Sequence, residues 1–207
     1  MLIIYDFISY TDVFTYNITT LESLLIYAMK TITYQSDYLG NGFEFATINQ
    51  PDDYEGKVVA TVIRKQCSMP SNKAVLYVHG FNDYFFQSEM AQKFNEKGFH
   101  FYAVDLRKYG RSTLPHQKSN NMRSLTEYFA DLDEALDIIR QEGNEQVLLS
   151  GHSTGGLLVT LYASERVGNE KFDTIFCNSP FYDMNMPGYQ KRLLVPLVAL
   201  FGKYFPD

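Results

Sequence analysis

The sequence predicts an α/β fold: a mostly parallel sheet with an antiparallel N-terminal edge and helices on both faces. Three observations carry this. Ala74 to Val78, Phe99 to Val104, Val147 to Leu149 and Thr174 to Phe176 are short apolar runs, as expected of strands buried on both faces. Amphipathic stretches separate them, and strands alternating with helices build parallel sheets. Upstream, Phe43 to Ile48 alternates and Lys57 to Ile63 is rich in β-branched residues. With a turn at Pro51-Asp52-Asp53 and Gly56 between them, these two runs form an antiparallel pair at a sheet edge.

The helices follow in order. One covers Ser88 to Lys97 and stops at Gly98. The clearest spans Ser124 to Glu142. Ser124 and Glu127 make a capping box, Leu125, Phe129, Leu132, Leu136 and Ile139 lie on one stripe, and Gly143 offers a stop. A third begins just after Ser153 and carries Leu157, Leu158 and Leu161 on one side. At 207 residues the chain reads as one domain, with a core over residues 1–183 in which 1–42 are an N-terminal extension.

Composition narrows the function. The chain is 45% hydrophobic and 20% charged, an ordinary globular balance, and its net charge of -6 excludes nucleic acid as the main partner. Cys67 and Cys177 are far apart and suggest neither a disulfide framework nor zinc spacing, and Cys177, in an apolar run, reads as buried. No metal or cofactor is expected. No Gly-x-Gly-x-x-Gly or P-loop follows the first parallel strand, which argues against nucleotide binding. The N-terminus lacks a basic region and a cleavage site, and the apolar run Leu193 to Phe201 contains Pro196 and is short for a bilayer. A cytoplasmic location without an integral membrane segment is the expectation.

The chemistry concentrates after one strand. Val147-Leu148-Leu149 leads into Ser150-Gly151-His152-Ser153-Thr154-Gly155-Gly156 and then a helix. This is G-x-S-x-G between strand and helix, and chance alone would supply the pattern about 0.07 times in such a chain. The turn is tight enough to strain the serine backbone, and bulk two residues to either side would clash, hence Gly151 and Gly155. Ser153 Oγ is then presented for attack as a nucleophile. The N–H of Thr154, at the helix N-terminus, favours a developing oxyanion. A second strand ends in His79-Gly80-Phe81, where the backbone N–H of Phe81 is the expected second donor. The His79 ring is expected to order this loop rather than to react.

These residues resemble the α/β-hydrolase superfamily, in its lysophospholipase, monoacylglycerol-lipase and serine-aminopeptidase-like branch, over residues 40 to 183. The resemblance rests on the loop at 79–81, the elbow at 151–155, the Asn178-Ser179-Pro180 segment, and Asp105, Arg107, Gly110 and Ser112 of a D-x-R-G-x-G-x-S pattern. The chain departs from that pattern at Lys108, where glycine is usual. Asp105 and Arg107 are expected to be an ion-paired strand end. The resemblance implies Ser153 as nucleophile, Phe81 and Thr154 as the oxyanion hole, and residues 184–207 as the start of a cap. It implies an ester hydrolase for a small acylglycerol, lysophospholipid or similar acyl substrate. An amide or peptide hydrolase, or an inactive binding module, are the alternatives. The family's order is Ser, then acid, then His, yet no histidine follows Ser153. His79, His100, His116 and His152 are poor bases by position, and Asp183 is a weak candidate acid. The expectation is a chain that ends inside the cap and is inactive alone. Apolar surface left exposed in its last segment would favour self-association.

Overall fold

The computed structural model describes residues 32–166, 168 and 171–204. The chain divides into Met1–Thr33 and Tyr34–Asp207, and the fold below is that of the second unit. Most of the expected N-terminal extension, residues 1–31, lies outside the described residues. Seven strands form one sheet: β1 (Gln35–Ser36), β2 (Glu44–Asp53), β3 (Gly56–Lys65), β4 (Lys73–Val78), β5 (His100–Asp105), β6 (Gln146–His152) and β7 (Thr174–Asn178). Their order is β1-β2-β3-β5-β4-β6-β7. The first three are antiparallel to their neighbours, whereas β5, β4, β6 and β7 run parallel, as predicted. The chain goes from β4 to β5 on one side, then crosses to β6 on the other. The carboxyl end of β4 is therefore a topological switch point, where sheets of this kind open a crevice.

Four α-helices accompany the sheet: α1 (Ser88–Glu96), α2 (Phe129–Gln141), α3 (Thr154–Glu165) and α4 (Gly188–Tyr204). On one face, Ile63, Val75, Tyr77, Phe85 and Phe101 pack with Ala91 of α1. On the other, Leu132, Leu136 and Ile139 of α2 and Leu158 and Tyr162 of α3 are fully buried.

Four local expectations need correction. The turn of the first hairpin is Tyr54-Glu55, and β2 runs through Pro51 to Asp53 with a register shift between Gln50 and Asp53. An irregular stretch of ladder tolerates a proline that cannot donate to it. The Ser124–Glu142 helix is split into a 3₁₀ turn at Leu125–Tyr128 and α2, although its capping box is present. The cap bonds draw the first turn into the tighter form that helix ends often adopt. β7 is not buried on both faces: it is the last strand among the described residues, and Phe176 is 55% exposed. Cys177 is accordingly half-buried against Gly156 and Thr160 of α3.

The strand-end motif is a structural cluster. Asp105 accepts from the N–H of Phe85 and Arg111 and pairs with the Arg111 guanidinium at 2.8 Å. Arg107 pairs instead with the buried Asp131 of α2 at 2.8 Å. The expected ion pairs exist, but Asp105 and Arg107 use separate partners. Gly110 is required, because a Cβ there would lie 2.5 Å from Asp105 Oδ2. Ser112 Oγ donates to the Asp105 carbonyl at 2.7 Å. Among the described residues no helix is long and apolar enough to cross a membrane.

Candidate active site

Two loops meet beyond the carboxyl ends of β4 and β6. Ser153 follows β6 at φ 53 and ψ -119, a conformation that costs a non-glycine residue energy and is held by its surroundings. The glycines explain the holding. A Cβ on Gly151 would lie 2.4 Å from the Gly155 carbonyl oxygen, and one on Gly155 would lie 2.4 Å from both the Val78 and His79 oxygens. Backbone thus packs on backbone between β4 and α3. The segment leaving β7 closes the other side: Ser153 N donates to Asn178 O at 3.2 Å, and Phe181 N donates to Ser153 O at 2.9 Å. Ser153 is half-buried, and among the described residues none hydrogen-bonds its Oγ.

The loop after β4 approaches the same serine. A Cβ on Gly80 would come within 3.2 Å of Ser153 Cβ, so glycine permits the approach. His79 is buried, with Nδ1 2.7 Å from Gly80 O, and its Nε2 accepts from the N–H of Leu106 at 3.1 Å. Because Nε2 is an acceptor, the proton sits on Nδ1 and is donated to the Gly80 carbonyl. That carbonyl and the Phe81 N–H belong to one planar trans peptide and point opposite ways, so His79 sets the direction of the N–H. Burial pushes the His79 pKa down, against a smaller upward pull from the Gly80 hydrogen bond, and keeps the ring neutral.

Neither the Phe81 N–H nor that of Thr154, the first residue of α3, has an acceptor among the described residues. Both residues line a pocket of about 30 Å³ with Tyr109, Met122, Tyr128 and Leu158. The remaining histidines are engaged elsewhere. His100 accepts from Cys67 N and contacts Ser71 O, His116 contacts Lys57 O, and His152 contacts Asn178 O. Asp183 pairs with Lys191 of α4, which holds its carboxyl below the usual range. The structure therefore brings Ser153, Phe81 and Thr154 together, and no base accompanies them among the described residues. Sequence reasoning missed Asn82 and Asn120, which join the loop after Phe81 to the loop after β5 at 3.0 Å. Their only local signal is polar, turn-forming sequence.

The family model Hydrolase_4, described as serine aminopeptidase, S33, matches residues 69–207. A search of curated proteins finds no match. Among solved structures, a thermostable carboxyl esterase from Bacillus coagulans in complex with glycerol is similar at 20% identity and TM-score 0.59, over 76% of this chain and 50% of that one. A soluble variant of monoglyceride lipase from Saccharomyces cerevisiae, with a substrate analog, is similar at 19% identity and TM-score 0.55, over 86% and 55%. The monoacylglycerol lipase of Paleococcus ferrophilus gives 25% identity and TM-score 0.54, over 70% and 52%. The chain spans about half the length of these structures.

Proposed function

The chain belongs to the Hydrolase_4 family, serine aminopeptidase, S33, and has the α/β-hydrolase fold; from that premise we propose that Ser153 is the nucleophile of a serine hydrolase acting on carboxylic esters. The observation that carries this reading is Ser153 at positive φ, flanked by two N–H groups that have no acceptor among the described residues, beside a pocket lined largely by apolar side chains. Ser153 Oγ attacks the acyl carbon, and the N–H groups of Phe81 and Thr154 take up the charge on its oxygen. Collapse of the tetrahedral intermediate expels the alcohol, which takes up a proton, and leaves an acyl-enzyme. Water then attacks the acyl carbon and releases the acid and Ser153. The base that takes the serine proton and the acid that orients it lie outside the described residues. We read residues 184–207, which include α4, as the start of a cap segment.

An amide substrate is the second reading, favoured by the family's description as aminopeptidase. The pocket argues for the ester: among the described residues no acidic side chain lines it, and a free α-amino group would need one. A fluorophosphonate probe, applied to a form of the protein that carries the base, tests the nucleophile. Labelling that disappears in Ser153→Ala is expected, and labelling that persists in that variant overturns the proposal. p-Nitrophenyl esters of graded acyl length, set against aminoacyl anilides, then separate the two substrate classes. With no base among the described residues, turnover by this chain alone is expected to fall to the residual rate that donors and binding supply, about 10³–10⁴ over water.

A further inference from the structure

The loop that carries Phe81 is exposed, Phe81 itself being 60% accessible, so something must hold its N–H in place. His79 fixes the peptide on one side. On the other, Asn82 stands at φ 52, and its Oδ1 accepts from Asn120 Nδ2 at 3.0 Å. Asn120 also stands in the left-handed region, at φ 61, and its own N–H donates to the Lys108 carbonyl at 3.0 Å. Lys108 is the residue that departs from the family's glycine. Its φ is 65, which explains why glycine is usual there.

Lys108 has a compensating reason to be present. Its side chain is buried, with Nζ 2.7 Å from Asp53 Oδ2 and 2.5 Å from Glu55 Oε2, and lies 4.2 Å over the Tyr54 ring. All three partners belong to the tip of the β2–β3 hairpin. The same tip holds the rest of the loop: Glu55 Oε1 accepts from Asn121 Nδ2 at 3.2 Å, and the Arg123 guanidinium lies 3.8 Å from the centre of the Tyr54 ring. The segment from Lys108 to Arg123 is therefore anchored in charge, whereas the loop at 80–84 is not.

We infer that Asn120 is a positioning residue: its hydrogen bond to Asn82 ties the loop carrying the Phe81 N–H to the segment that Lys108 anchors on the hairpin tip. The inference rests on the proposed role of Phe81 as an oxyanion donor. Such a donor acts only when aimed, and a misplacement of about 1 Å in a reacting geometry can cost about 10²-fold in rate. Three non-glycine residues at positive φ in one connected path (Asn82, Asn120 and Lys108) mark a strained arrangement that the fold maintains at this site.

Asn120→Gly and Asn82→Gly test it, because glycine keeps the left-handed backbone and the bond to Lys108 while deleting the side-chain bond. Each single variant should slow fluorophosphonate labelling of Ser153 about threefold to tenfold, the loss expected of one hydrogen bond. The double variant should lose no more than either single one, since both changes remove the same contact. Amide hydrogen exchange should quicken at residues 80–84 and stay unchanged in β4 and β6. Unchanged labelling and exchange in the single variants, or additive losses in the double one, overturn the inference. Failure of a form of the protein that carries the base to label would overturn the role of Ser153 instead, and exchange at Phe81 and Asn82 would still decide whether the tie exists.

Discussion

His79 has both ring nitrogens committed to backbone, one donating to Gly80 O and one accepting from Leu106 N, and its burial lowers its pKa from the ordinary 6.5. The folded state therefore holds the ring neutral where the unfolded chain begins to bind a proton. Below about pH 6.5 the unfolded state binds more protons, so stability present above that pH is lost as pH falls toward the depressed value, by up to about 1.4 kcal/mol per pH unit. Urea midpoints between about pH 7.5 and 5.5 should show this slope, and His79→Gln should reduce it. Gly155 makes a sharper prediction. With a Cβ 2.4 Å from two carbonyl oxygens, Gly155→Ala should cost about 3 kcal/mol by urea denaturation. Gly188→Ala, with nothing within 4 Å of its Cβ, serves as a near-neutral control.

Among the elements, the β2–β3 hairpin tip and Lys108 test one another. Lys108→Met leaves Asp53 and Glu55 without their cation and should destabilise the fold by about 3–5 kcal/mol. Lys108→Gly loses the same pairs but relieves the left-handed backbone, and should cost about 1 kcal/mol less by the same measurement. Ser124→Ala removes the capping box ahead of α2 and should cost about 1 kcal/mol. The sequence made the parallel strands, the antiparallel pair and the elbow legible because each is local: an apolar run, an alternation, a pentapeptide. It did not reveal that β7 is exposed, since a short apolar run looks alike in a central and an edge strand. Nor did it reveal the break before α2, whose apolar stripe continues across Tyr128. The Asn82–Asn120 bond joins positions 38 apart through two loops, and no periodicity announces such a contact.

At the scale of the molecule, the described residues leave large apolar side chains open to solvent on one strand and one helix. β7 and α4 expose Ile175, Phe176, Leu193, Leu197, Leu200 and Phe201, and Leu193 is 72% accessible. Apolar patches of this kind favour association, so sedimentation velocity should show concentration-dependent oligomers that Leu193→Glu combined with Leu200→Glu reduces. Monomer at all concentrations would overturn that expectation. The contact of Gly155 with the Val78 and His79 carbonyls has a different kind of consequence. The loop bearing Phe81 leaves β4, and Thr154 opens α3, so the spacing between their N–H groups is gauged by main chain resting on main chain. The side chains of Met122, Tyr128 and Leu158, which line the pocket, take no part in that contact. Exchanging Met122, Tyr128 or Leu158 can therefore reshape what the pocket admits while that backbone contact is left in place.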